Sequence, residues 1–192
     1  SDLTSITIPA SVKSIGLNAL FTMSGFTDIT VESSNANYTA IDDVLFNKDK
    51  TTLIIYPLRN ERITYEIPAS VLTISQYTFT GATKLETVTF EEGSQIDSIG
   101  NNAFYNASSL TSVTIPSSVK SIGDYAFYGA KKLETVTFEP GSELNTIGEN
   151  AFDNASGLTS ITIPAKVENI GRYAFNQATN LKRVTFEPGS LL

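Results

Sequence analysis

The 192-residue chain has no cysteine, no histidine, no tryptophan and one methionine. Without cysteine there is no disulfide, no thiol nucleophile and no thiolate site for zinc or an iron–sulfur cluster. Without histidine there is no imidazole base and no Ser-His-Asp triad. Positive charge is scarce: 13 Lys and Arg against 20 Asp and Glu leave a net charge of −7. That balance argues against binding nucleic acid or an anionic membrane through charge. The longest apolar runs, Val44 to Phe46 and Leu53 to Tyr56, are strand-sized. They fall far short of the ~20 residues of a membrane span, so no membrane insertion is expected in this segment. The opening SDLTSITIP has neither a basic nor a hydrophobic region, so no signal peptide is expected in it. At 41% hydrophobic residues the chain is too apolar for disorder.

What is present is a repeat. LTSVTIP at Leu110 recurs as LTSITIP at Leu3 and Leu158. LETVTFEEGS at Leu85 recurs as LETVTFEPGS at Leu133 and LKRVTFEPGS at Leu181. The step from Leu85 to Leu110 is 25 residues, that from Leu110 to Leu133 is 23, and the alternation then repeats. The FE-x-GS form carries two residues more than the IP form. The sequence predicts one array over 1–192, with units starting near 3, 26, 62, 85, 110, 133 and 158 and a partial unit at 181. Because it opens on a strand and stops at SLL, a fragment of a longer array is expected.

Each unit carries one strand. In LTSVTIP, Leu110, Val113 and Ile115 face one way and Ser112 and Thr114 the other. Strands are predicted at or near 4–8, 28–31, 64–67, 86–90, 111–115, 134–138, 159–163 and 182–186, all parallel and adjacent. A second, shorter ladder is expected at Val119–Ile122 and its equivalents. Three inward columns follow: Ile74, Ile99, Ile122, Ile147, Ile170; Phe79, Phe104, Phe127, Phe152, Phe175; and Ala82, Ala107, Ala130, Ala155, Ala178. Ala126, Phe127 and Ala130 have the spacing of a short helical turn, and Gly123 is assigned to a φ that a side chain resists. No unit buries these residues alone, so the units must stack.

One region breaks the period. VLF and LIIY flank NKDKTT, which predicts a β-hairpin inserted at 44–56. Asp42, Asp43, Asn47 and Asp49 lie close together, but their spacing does not match a calcium loop, and solvated turns explain them better. No metal or cofactor site is expected.

The pattern LxxVTIPxSVxxIGxxAFxxA resembles the BspA-like leucine-rich repeats of bacterial surface proteins, and LTSVTIPSSVKSIGDYAFYGA is a close match. DDVLFNKDKTTLIIYP also resembles a family segment that often reads DGVLF, with Asp43 in place of Gly. The resemblance implies a right-handed leucine-rich-repeat solenoid, of α/β-horseshoe type but mostly β. It would have a concave parallel sheet and short helical or irregular turns on the convex side. It further implies an extracellular or cell-surface location and adhesion, with no catalytic residues to carry over. Departures from the pattern are Ser75 for Gly, Thr78 for Ala, Arg62 for Leu, and Leu20 and Met23 for Phe and Ala.

The candidate concave binding face comprises Thr87, Thr89, Glu91, Ser112, Thr114, Thr135, Thr137, Glu139, Ser160, Thr162, Arg183, Thr185 and Glu187. Thr suits an exposed strand, and extended solenoid faces serve as binding surfaces. Glu91, Glu139 and Glu187 invite a glycosidase reading, but they recur as a periodic surface without a pocket. No enzyme activity is expected. Tyr77, Tyr125 and Tyr173 form an outer-turn column that alternates with Asn18, Asn102 and Asn150 and is assigned to packing. Asn37, Asn106 and Asn154 fit the N-glycosylation pattern, which matters only in a eukaryotic secretory context. The reading is a non-enzymatic cell-surface protein that binds a host or microbial macromolecule. The partner would be a matrix or cell-surface protein, with a glycan as a further possibility. A passive spacer and a carbohydrate-binding module are the alternatives. The module would need exposed aromatics on the concave columns, and those columns have almost none.

Overall fold

A computed structural model describes residues 4–16, 19 and 27–192. Leu3, Asn18, Leu20, Met23 and Phe26, to which repeat positions are assigned, lie outside the described residues. Eight four-residue strands occupy the expected places: β1 (Ser5–Ile8), β2 (Asp28–Val31), β6 (Thr64–Ile67), β8 (Thr87–Phe90), β10 (Ser112–Ile115), β12 (Thr135–Phe138), β14 (Ser160–Ile163) and β16 (Arg183–Phe186). Two-residue strands form the second ladder: β7 (Thr73–Ile74), β9 (Ser98–Ile99), β11 (Ser121–Ile122), β13 (Thr146–Ile147) and β15 (Asn169–Ile170). All of these pairings are parallel, so the architecture is a β-solenoid.

The core is the set of columns. Phe79, Phe104, Phe127 and Phe152 are fully buried. Together with Phe175 they stack at centroid distances of 4.7, 5.0, 5.2 and 5.5 Å, within 3° of parallel. These separations exceed ring contact distance, so the rings are offset, as their quadrupoles prefer. The Ile and Ala columns line the same interior.

The turns opposite the long strands are not helical, and no helix occurs among the described residues. This corrects the horseshoe expectation. The N–H groups of Ala103, Tyr105 and Ala107 close turns on the carbonyls of Gly100, Asn102 and Phe104. The intervening N–H groups of Asn102, Phe104 and Asn106 donate to the carbonyls of Asp124, Ala126 and Tyr128 in the next coil, at 2.7–2.8 Å. A helix would direct these donors back into its own coil. Left-handed residues at Asn102 (φ 56°) and Asn106 (φ 54°), matched by Tyr125 and Gly129 one coil on, turn them outward instead.

Gly123 is also corrected. Its φ is not in the left-handed region, and what its column requires is space. A Cβ on Gly100 would lie 2.6 Å from the Gln76 backbone nitrogen, and one on Gly148 would lie 2.5 Å from the Gly123 carbonyl carbon. Glycine here lets one coil settle against the backbone of the coil before it.

The eight long strands do not form one ladder. Strands joined by 23-residue steps pair along their full length: β1 with β2, β6 with β8, β10 with β12, and β14 with β16. Across the 25-residue steps the pairing weakens. β8 and β10 pair only at Thr87–Ser112 and Val88–Val113, and no ladder joins β12 to β14. The FE-x-GS unit ends its strand on Phe rather than Ile and adds a turn with glycine at φ 79–83° (Gly93, Gly141, Gly189). The larger side chain and longer loop part the strands on that side only.

The other break lies between β2 and β6, where the inserted segment forms three strands: β3 (Tyr38–Ile41), β4 (Val44–Asn47) and β5 (Thr52–Ile55). β3 and β4 pair antiparallel through Asp42 and Asp43, whose φ values of 49° and 67° are those of a type I′ turn. Asp43 therefore sits where a left-handed residue is needed. Asn47 binds the next loop, with its Nδ2 donating to Thr51 Oγ1 and its Oδ1 accepting from Thr52 N–H, each at 2.8 Å. The segment does not protrude: β5 pairs parallel with β7 and extends the short ladder. Val44, Phe46 and Leu53 join the main core. Leu45 joins a separate core with Ile8 and Ile29, so the segment is a wall between the two.

Candidate binding face

The long strands place their second-face residues in order: Thr7, Thr30, Glu66, Thr89, Thr114, Thr137, Thr162 and Thr185, flanked by the Ser/Thr column that ends at Arg183. All eight of the named column are exposed. Within the 23-residue pairs the hydroxyls bond one another: Thr7 to Thr30 at 2.8 Å, Thr114 to Thr137 at 2.9 Å and Thr162 to Thr185 at 2.8 Å. The result is a strand face dominated by hydroxyls, on which Asp28, Glu66 and Arg183 are the charged members of the two columns.

The glutamates at its border hold the backbone. The Ala10, Ala69, Ser117 and Ala165 N–H groups donate to Glu32, Glu91, Glu139 and Glu187 at 2.7, 2.8, 2.9 and 3.0 Å. Each donor follows the proline of an IP turn, and each acceptor comes from the next long-strand coil. An acidic column that the sequence offers for binding thus also clips one coil to the next.

The open steps make slots. One, of about 240 Å3, is lined by Thr87, Val88, Thr89, Phe90, Ser112, Val113, Thr114 and Glu139. The other, of about 260 Å3, is lined by the residues 48 positions on: Thr135, Val136, Thr137, Phe138, Ser160, Ile161, Thr162 and Glu187. Phe90 and Phe138 are half-buried, whereas Ile115 and Ile163, at the same strand position, are buried. The sequence reading missed these two rings because strand alternation assigns them to the interior, and it takes the parted strands to expose them. A third hollow, of about 380 Å3, lies beside Thr159, Ser160, Thr162, Lys182, Arg183 and Thr185. Lys182 adds a second cation next to Arg183 that was also missed.

Two further surfaces stand apart. At the β2–β6 break, Asp28, Asp43, Glu61 and Arg62 line a cleft of about 340 Å3. There the Arg62 Nη1 donates to the Asp42 carbonyl at 2.7 Å, and Nη2 lies 3.6 Å from Asp43 Oδ2. Behind it, burial pushes the Tyr56 hydroxyl up to about 12 and raises Tyr65 as well, partly offset by the Arg62 charge. On the turn side, Tyr105 and Tyr128 stack at 4.8 Å, with Tyr125 tilted against Tyr128 at 5.8 Å. No group of three or more acidic, His or Cys side chains suited to a metal ion occurs among the described residues. No helix there is long and apolar enough to cross a membrane.

Stacked parallel coils, each with one short strand ending in an IP or FE-x-GS turn, define a leucine-rich-repeat solenoid. The chain belongs to the BspA-type leucine-rich repeat family, whose model matches residues 1–94 and 59–182 with six copies of the repeat. A leucine-rich repeat protein from Eubacterium ventriosum superposes with a TM-score of 0.83 at 29% identity, over 96% of this chain and 49% of that one. The pneumococcal vaccine antigen PcpA gives 0.69 at 26% identity, over 96% and 45%. A leucine-rich cell surface protein from Faecalibacterium prausnitzii gives 0.64 at 26% identity, over 96% and 48%. The chain thus spans about half the length of these solved proteins. No functionally curated protein matches it.

Proposed function

We propose that this chain is the binding portion of a non-enzymatic bacterial surface protein that adheres to a host or microbial macromolecule through the strand face. The observation that carries the reading is that face itself: a run of exposed hydroxyls over eight strands, interrupted by slots whose walls are Thr and Ser. Extended solenoid faces of this kind suit large partners, because many weak polar contacts sum along the array. The similarity to the Faecalibacterium prausnitzii leucine-rich cell surface protein supports the location.

The test is a binding screen of the purified chain against immobilised matrix proteins and a glycan panel. Saturable retention that Thr114→Arg and Thr162→Arg abolish, and Lys131→Glu on a turn leaves intact, is the expected result. Equal loss from both sets, or retention of nothing, would overturn the reading and favour a spacer.

A further inference from the structure

We propose that the two slots are subsites for an extended, neutral β-1,4-linked glycan that runs across the strands and seats one sugar ring in each slot, its C–H face on the apolar base. This rests on the strand-face reading above and names the ligand class for it. Three features point to that chemistry.

The first is spacing. The slots are equivalent at every lining position and two coils apart, which is about 10 Å at parallel-strand spacing and slightly more because one of the two steps is open. A ligand that fills both must repeat on that length. In an extended β-1,4 glycan each sugar is turned over relative to the last, so the same ring face recurs once per disaccharide, a length of that order. An extended peptide repeats a side every two residues, about 7 Å, and falls out of step. A peptide helix comes back into step every seven residues, at about 10.5 Å, and is the competing occupant.

The second is composition. Each slot pairs an apolar base, Phe90 with Val113 or Phe138 with Ile161, with hydroxyl walls from Thr89 and Thr114 or Thr137 and Thr162. A sugar ring has this dual character, with C–H groups on its faces and hydroxyls at its edges. An apolar helix stripe would match the base and leave the hydroxyl rim without partners.

The third is charge. Neither slot contains a Lys or Arg, and the carboxylate in each, Glu139 or Glu187, already accepts a backbone N–H. With a net charge of −7 on the chain, an acidic glycan has nothing to pair with there. At the β12–β14 step no ladder joins the facing backbone edges, so they can offer hydrogen bonds to sugar hydroxyls.

The experiment is calorimetric titration of the intact chain with cello- and chito-oligosaccharides of two, four and six sugars. One oligosaccharide series is expected to bind. Its affinity should rise about tenfold or more from two to four sugars, as the second slot is engaged, and then level off. Ser112→Tyr and Ser160→Tyr, at exposed slot-lining positions, should each remove that gain, and together they should abolish binding. Lys131→Tyr on a turn should change nothing, and circular dichroism confirms that each variant is folded. Equal affinity for two and six sugars, undiminished binding by the double variant, or no binding of either series would overturn the glycan assignment. If the double variant loses a protein partner found in the screen while no sugar binds, the glycan assignment falls and the strand-face function stands. If the wild type retains nothing in either experiment, both fall.

Discussion

Glu139 reaches back one coil and accepts the Ser117 N–H at 2.9 Å. The proline before Ser117 has no N–H, so Ser117 offers the first free donor of the IP turn, and the longer FE-x-GS unit places a carboxylate against it. The same clip recurs at Glu32, Glu91 and Glu187. It joins the two members of a strand doublet, never two doublets.

Removing the clip should therefore weaken pairing within a doublet. Glu139→Ala is expected to lose roughly 1 kcal/mol, in keeping with an exposed charge-assisted hydrogen bond, while Glu139→Gln, which keeps an acceptor oxygen, should lose less than half of that. Urea midpoints at constant slope provide the comparison. Equal losses for Ala and Gln would assign the effect to packing or long-range charge.

Phe127 is fully buried between Phe104 and Phe152. Phe127→Ala should cost roughly 3–5 kcal/mol, because neighbours held by their own coils cannot collapse into the cavity. Phe175→Ala, at a half-buried site, should cost clearly less. Denaturant unfolding of both variants gives the measurement, and a loss below about 1 kcal/mol at Phe127 would remove the column from the core.

The glycine column makes a sharper forecast. Gly148→Ala drives a Cβ into the Gly123 backbone and should destabilise by about 1–3 kcal/mol or more, since backbone rather than a flexible side chain must move. Gly16→Ala, with nothing within 4 Å among the described residues and no left-handed φ, should lie within about 0.5 kcal/mol of wild type. Thermal melts of the two variants separate steric need from glycine content.

Alkaline pH probes the junction. Tyr56 is fully buried, and its hydroxyl makes no hydrogen bond among the described residues. Its folded value, about 12, lies above the ordinary tyrosine value of about 10. The stability contributed by the neutral phenol is therefore complete below about pH 10 and is lost as pH rises through 12. Tyr56→Phe should leave the melting temperature at pH 7 unchanged or raised, because no bond is lost, and should flatten the alkaline decline. A drop of several degrees at pH 7 would reveal a partner for the hydroxyl.

Much of this was legible from residues alone. The 23/25 alternation located the strands to within about one residue, and the columns through Ile122, Phe127 and Ala130 named the core, because period-2 alternation and register depend on chain order. The hydroxyl face followed from the same alternation. Its glutamates were legible as positions and not as acceptors, since their donors lie 22 residues away in another coil. Gly123 was legible as necessary, but for the wrong reason: sequence shows that a side chain is excluded without showing whether torsion or a neighbour excludes it.

The sequence by itself determined that the chain is a solenoid, which residues share each column, and that no histidine or cysteine chemistry is available to it. Only the tertiary structure decided how far apart neighbouring coils stand. That distance balances side-chain size against loop length on each side of a step: the Ile and IP side closes, and the Phe and FE-x-GS side opens. Because of it, the strands fall into doublets, Phe90 and Phe138 meet solvent, and an even polar face acquires two matching slots.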